Sequence, residues 1–292
     1  MIGGILEEGR NYLLVLGRVS LPYFLLAIFV YYFSVLIYAI RWKLVLRGMG
    51  KDVPFFELVK SILASIFMNN ITPMSRSGGE ILRIAWISRR GGVPFGLSTM
   101  SVVYERILET VPVFVLFLVG MLYFSSMPGV LFVLGVVAVA LIWIRWEDFV
   151  RISLRVFKAS VDEEEMEKIL SLRRSHNITL GGILLSSSIW LLDVVRLKLI
   201  TLAFGLHLSL PLIVVVSIAN LLLGLVALTP GGVGIVEGGL VGTLTHFGLP
   251  ITLAVSVTLV ERFISYVLST IVGFVVLLTS GGREVWRALK SP

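Results

Sequence analysis

Apolar and polar residues in this chain do not alternate; they are sorted into blocks. Residues 21–40, 111–124, 129–146, 180–204 and 251–278 form the clearest apolar runs. About 20 helical residues cross a hydrocarbon core, so these runs predict membrane-spanning helices. Spanning strands would alternate lipid-facing apolar with inward polar positions, and runs this uniform do not. The expected fold class is an all-α integral membrane protein.

Composition agrees. Of 292 residues, 57% are hydrophobic and 15% charged, too little polar sequence to coat a soluble domain of this size. The net charge of +7 fits basic loops that set orientation and meet anionic headgroups, and nucleic acid is not an expected partner. The chain has no cysteine, and its three histidines (His176, His207, His246) lack ligand spacing. Neither a metal site nor a cofactor is therefore expected. Glu7 and Glu8 stand where a removable leader would carry positive charge, so no cleaved segment is expected.

The punctuation between the blocks recurs. Thr72-Pro73, Gly78-Gly79-Glu80, Gly92-Val93-Pro94 and Glu105-Arg106 are followed later by Thr229-Pro230, Glu237-Gly238-Gly239, Gly248-Leu249-Pro250 and Glu261-Arg262. Three spacings are equal: Thr to Glu (72 to 80, 229 to 237), Pro to Glu (94 to 105, 250 to 261) and Pro to Pro (54 to 73, 211 to 230). Arg41-x-Lys43 and Arg196-x-Lys198 sit upstream at similar offsets. The chain is expected to hold two related halves.

Basic residues orient them. Lys and Arg concentrate in 41–53, 76–90, 145–177 and the tail (Arg283, Arg287, Lys290), whereas 125–128, 205–210 and 246–250 carry none. All basic segments share one side only if 54–90 and 211–247 are re-entrant hairpins. The expected organisation is a 1–20 interfacial segment, a first repeat 21–124 containing hairpin 54–90, and a 125–177 linking helix and cytoplasmic loop. A second repeat 178–280 containing hairpin 211–247 and a cytoplasmic tail 281–292 complete it. The halves enter inverted, with the C-terminus cytoplasmic and the N-terminus outside. Hairpin turns are expected around Asn70, Thr72, Pro73, Gly78 and Gly79, and around Thr229, Pro230, Gly231, Gly232 and Gly234. Broken helices at mid-membrane within inverted repeats are transporter architecture.

Candidate chemistry lies at these breaks. Glu80 and Glu237 begin the returning arms, where a helix N-terminus favours a carboxylate; each either caps its helix or contacts a cationic group or proton. Glu105-Arg106 and Glu261-Arg262 lie about 16 Å beyond their prolines, near mid-membrane. Adjacent residues project about 100° apart, so each pair should seek separate partners, among them Arg76, Arg83 and Glu80 in the first half and Arg262 with Glu237 in the second. Structural salt bridges and substrate contacts are both open to them. Arg76 and Arg83, with Arg106, are candidate phosphate ligands, which tilts positive charge toward the first half. Arg89 and Arg90 read as orientation signals. Asp193 and Arg196 are expected to pair locally, Gly234, Gly238 and Gly242 to form a close-packing face, and 145–177 to be a solvated amphipathic connection.

The pattern Asn70-x-Thr72-Pro73, Gly78-Gly79-Glu80-x-x-Arg83 and Glu105-Arg106 resembles the transmembrane region of lysylphosphatidylglycerol synthases. Thr229-Pro230-Gly231-Gly232-Val233-Gly234-x-x-Glu237-Gly238 resembles its second signature. That family includes the flippase domain of the multiple peptide resistance factor and short stand-alone prokaryotic homologues. The resemblance implies a lipid-translocating module in a prokaryotic cell membrane. The aminoacyl-transferase domain of the full-length synthases is absent, so an enzymatic role is not expected and the cargo is left open. The expected partners are membrane lipids with an anionic phospholipid or glycolipid headgroup. A separate lipid-modifying enzyme and a second copy of the chain are further candidates. The alternatives are a membrane enzyme acting on a polyprenyl-phosphate or phospholipid, and a non-catalytic partner of a lipid transferase. The topology predicts that cysteines at positions 48 and 281 react with an impermeant thiol reagent from the cytoplasmic face, and one at 127 from outside.

Overall fold

A computed structural model describes residues 15–73, 77–123 and 129–280. Among these all regular structure is helical. In chain order the helices are α1 (Leu21–Gly48), α2 (Phe55–Ile71), α3 (Ser77–Arg90), α4 (Phe95–Tyr123), α5 (Gly129–Ile144), α6 (Trp146–Val156), α7 (Glu163–Arg174), α8 (His176–Ala203), α9 (Leu210–Val226) and α10 (Ile235–His246). The last, α11 (Ile251–Thr279), is continuous but contains one π-helical turn, Phe263–Leu268. The helices α1, α8 and α11 are long and apolar enough to cross a membrane; at 1.5 Å per residue each runs about 42 Å. The 29-residue α4 matches them in length but carries Glu105, Arg106 and Glu109 within its first half. The protein is an all-α membrane protein.

The same order occurs twice: a long helix, two shorter helices separated by a break, then a long helix. The breaks fall between Ile71 and Ser77 and between Val226 and Ile235. The long helices α1 and α8 pack along their whole length and run antiparallel. The Ser20 N–H donates to Ala203 O at 2.8 Å, the Arg196 guanidinium lies over the Tyr31 ring, and Arg41 reaches Ser186. Exchanging the halves preserves the packing: α2 rests on α11 as α9 rests on α4, and α1 touches α4 as α8 touches α11. Among the described residues, helices α5 to α7 have no counterpart.

Large side chains on the outer faces are exposed, among them Leu25, Phe29, Phe33, Leu36 and Ile40 on α1 and Leu180, Leu184 and Leu191 on α8. Such a surface is stable against lipid, not water. Inside, one core gathers α1 to α4 with α6 and α7, and another gathers α8 to α11 with the start of α1.

Several expectations are revised. The linking helix ends at Ile144 and Arg145 turns the chain into α6. Segment 145–177 is amphipathic and helical: Glu147, Asp148 and Arg151 are exposed, while Trp146, Val150, Ile169 and Leu172 are buried beneath the first half. Arg41 does not belong with the loop charges: it is wholly buried in α1, leaving Lys43, Arg47 and Lys51 to orient that end. Gly234, Gly238 and Gly242 form no packing face, since an added Cβ at each would meet nothing. The close approaches lie elsewhere. A Cβ on Gly79 would lie 2.3 Å from Ser65 O, across hairpin α2–α3, and one on Gly273 would lie 2.4 Å from Leu63 O. Position 48 is crowded by Ile178, so the neighbouring exposed Arg47 is the better cysteine site. Glu7 and Glu8, segment 124–128 and segment 281–292 lie outside the described residues.

Backbone atoms cannot withdraw as a side chain can. Gly273→Ala is therefore expected to push α11 off α2 and cost about 1–3 kcal/mol, read as a lower Tm in detergent. Gly242→Ala, facing open space, is expected to leave Tm unchanged or slightly higher.

Candidate functional site

The tips of the two hairpins meet. A Cβ on Gly231 would lie 2.9 Å from Asn70 O and 2.2 Å from the Tyr266 ring, and its backbone has φ +59; glycine alone fits there. Thr229 and Pro230 lead into a short 3₁₀ turn, Pro230–Gly232, and the Thr229 hydroxyl donates to Val233 O at 2.9 Å. On the other tip Asn70 donates to Thr270 Oγ1 at 2.8 Å, beside the π turn of α11, and Asn69 Oδ1 accepts from Gly79 N at 2.8 Å. Thr72 closes α2 by donating to Met68 O at 2.6 Å and packs against Gly78, while Pro73 is exposed.

Beside the tips lies a cavity of about 300 Å³, bounded by both hairpins and by α1, α4, α8 and α11. Its charged lining is Glu80, Arg83, Arg106, Asp193, Arg196 and Arg262, with Asn69, Asn70, Ser217 and Asn220 as neutral polar groups. Charge inside an apolar shell is stabilised by mutual pairing, by water or by a polar occupant.

The charges form two networks with a shared plan. In the first half Arg41 donates from Nε to Glu105 at 3.0 Å, from Nη2 to Glu109 at 2.7 Å and from Nη1 to Ser186 at 2.9 Å. Arg83 pairs with Glu105, reaches Glu80 at 3.4 Å and stacks over Trp42 at 4.1 Å. Arg106 bridges Glu80 and Glu109. In the second half Arg196 pairs with Glu261 at 3.1 Å and Asp193 at 2.6 Å. Arg262 donates to Glu237 at 2.7 Å and to Gly231 O at 2.7 Å, and Glu237 caps α10 by accepting from Gly234 N at 2.6 Å. Thus Arg41–Glu105 corresponds to Arg196–Glu261, and Arg106–Glu80 to Arg262–Glu237. The first pair of each half joins its two long helices; the second ties its hairpin to its last helix.

These positions sort the candidates. Glu105 and Glu261 are 0% and 1% exposed and lie behind the cavity, not in its wall. Glu237 is engaged as a cap and a salt-bridge partner. The Arg83 side chain lines the cavity, is 4% exposed and is shared between two carboxylates, as Arg196 is in the second half. Arg106, at 37%, is the most open of the guanidinium groups in the wall. Arg76 lies outside the described residues. The expected tilt of positive charge survives only in relative form: three arginines face three glutamates in the first half, and two face three carboxylates in the second. Arg90 does more than orient, lying 3.7 Å from Glu57 and over the Trp86 ring. Arg41 and Glu109 carry no expectation from the motifs, although the shared Arg-x-Lys spacing marks Arg41 as the counterpart of Arg196.

A cavity lined by paired charges, set where two broken helices meet inside an apolar shell, defines a polytopic membrane protein with an internal polar site. The lysylphosphatidylglycerol synthase TM region matches residues 9–273, and the chain belongs to that family. It is similar to UPF0104 membrane proteins from archaea. One from Pyrococcus horikoshii is 28% identical over 89% of this chain and 88% of its own length. One from Methanocaldococcus jannaschii is 27% identical over 90% and 86%, and one from Methanothermobacter thermautotrophicus 27% over 84% and 81%.

Removing one member of a buried ion pair leaves the other charge uncompensated. Arg41→Gln leaves Glu105 with Arg83 alone and Glu109 with Arg106 alone, and is expected to cost about 3 kcal/mol. Arg106→Gln, beside a polar cavity, is expected to cost clearly less. Thermal unfolding of the two variants in the same detergent checks the order.

Proposed function

We propose that the protein moves a lipid headgroup between leaflets through the cavity between its hairpins. The observation that carries this reading is the cavity itself, a polar space of about 300 Å³ reached by the tips of both hairpins and surrounded by lipid-facing helices. The acyl or isoprenoid chains stay in the bilayer while the headgroup enters. Its phosphate is met by Arg106, with Arg196 and Arg262 across the space. A cationic portion is met by Glu80 and Asp193. Arg83 lines the cavity on the same footing as Arg196 and stays a candidate contact, whereas Glu237 does not line it.

Each hairpin is fastened to the last helix of its own half by a salt bridge and rests on the last helix of the other. Rocking one half against the other then exposes the cavity alternately to the two leaflets. The protein resides in the prokaryotic cell membrane with its C-terminus cytoplasmic and its N-terminus outside, and it performs transport without chemical change of the lipid. The archaeal relatives, described as membrane proteins, are compatible with this and add nothing about cargo.

Reconstitution into liposomes with headgroup-labelled phospholipids and glycolipids tests the proposal. The full chain is expected to accelerate leaflet exchange. Arg106→Gln is expected to slow it about ten- to hundredfold, the worth of a charge-assisted hydrogen bond. Cleavage or transfer products would replace transport with an enzymatic role. Absence of both exchange and products would leave a non-catalytic membrane partner.

A further inference from the structure

The two halves share a plan of ion pairs, and they differ at one point. Glu105 has both oxygens engaged: Oε1 accepts from Arg41 at 3.0 Å and Oε2 accepts from Arg83. Its counterpart Glu261 accepts from Arg196 through Oε1 at 3.1 Å, while Oε2 has no partner among the described residues. The reason lies in the hairpins. Arg83 follows Glu80 by three residues, and the residue three beyond Glu237 is Leu240, buried at 2%. The second half therefore lacks the second arginine.

What surrounds Glu261 does not make up the missing charge. From α8, Arg196 is shared with Asp193, whose other oxygen accepts from Ser217 Oγ at 2.5 Å. From α10, Glu237 adds a further carboxylate, and Arg262 is spent on it and on Gly231 O. From α1, Tyr31 presents its ring to Arg196 at 5.6 Å. On α11, one turn to either side of Glu261, the Thr258 and Ser265 hydroxyls are buried and likewise without partners among the described residues. Two carboxylates thus share one guanidinium inside the protein, with one oxygen left bare. A bare carboxylate oxygen in a low-dielectric interior is costly unless a positive charge joins it.

We propose that the Asp193–Arg196–Glu261 cluster binds one monovalent cation, a proton or a sodium ion, at the free oxygen of Glu261. Access exists: Asp193, Arg196 and Ser265 all line the cavity, so an ion in the cavity lies next to the cluster. The π turn begins at Phe263, two residues after this carboxylate; such turns interrupt regular helical packing and recur at functional sites. The inference rests on the transport reading in one respect, that it names the ion to which headgroup movement is coupled. An anionic headgroup that engages Arg196 draws it away from Glu261 and deepens the need for the cation, so each favours the other's binding by the same factor.

Thermal unfolding of the full chain in detergent decides the site without any transport. Sodium is titrated against choline at constant ionic strength, and pH is varied at fixed sodium. The Tm of the unmodified protein is expected to rise with sodium, or to rise as pH falls and to be lost as pH rises. Glu261→Gln is expected to abolish that response. Leu240→Arg, which supplies the charge present in the first half, is expected to abolish it independently. A sodium response identifies sodium; a pH response without one identifies the proton. If the unmodified protein and Glu261→Gln respond alike to both ions, the inference is overturned. In liposomes, a gradient of the identified ion is expected to speed lipid exchange in the unmodified protein and not in Glu261→Gln. Exchange indifferent to the gradient overturns coupling and leaves transport standing. Absence of exchange overturns the transport reading and leaves the thermal result to decide the site.

Discussion

A charged group inside a membrane protein has no bulk water to fall back on, so each must find an opposite charge or a polar cavity. Much of this structure follows from that constraint. Arg41 and Arg196, each about three-quarters of the way along a long helix, oblige the first and last long helices of their halves to approach. Arg106 and Arg262 oblige the hairpins to come back to those same last helices. The antiparallel packing of α1 and α8 then brings the two sets of pairs together, and the space left between them is polar because its walls are made of these residues.

The hairpins add a second requirement. A chain that turns inside the membrane exposes backbone donors and acceptors that helices would otherwise satisfy. Here the first tip is satisfied by Asn69 and Thr72, and the second by Thr229, Glu237 and Arg262. In the second half the side chains that neutralise charge also satisfy the break. That economy explains why Glu237 serves both as a helix cap and as the partner of Arg262. It also explains why Glu237 is a poor candidate for contact with cargo.

Legibility differed between parts of the site for definite reasons. The repeat and its breaks were readable because Thr-Pro, Gly-Gly and Glu-Arg are rare within apolar runs and recur at equal spacings. The pairing of Arg262 with Glu237 and of Asp193 with Arg196 could be anticipated from helix geometry. The role of Arg41 could not, since a basic residue near the end of an apolar run looks the same whether it marks a loop or is buried between helices. Glu109 stands outside the duplicated motif, with Ser265 in the matching place. Arg83 carried the motif's appearance of a phosphate ligand and does line the cavity, yet two carboxylates and the Trp42 ring enclose it. Glycine spacing misled in the opposite direction, because Gly234, Gly238 and Gly242 face open space while Gly79, Gly231 and Gly273 make the close approaches.

The sequence by itself determined the all-α membrane class, the doubled order of elements, and the places where helices break, because each depends on local hydropathy and on residues that cannot continue a helix. Tertiary structure alone decided which charges meet. Arg41 and Glu105 are 64 residues apart and Arg196 and Glu261 are 65 apart, and no local rule reaches across that distance. Only the folded arrangement shows that both oxygens of Glu105 are paired while one oxygen of Glu261 is not. That difference turns on Arg83 against Leu240, and it follows from packing that brings a third helix to each pair.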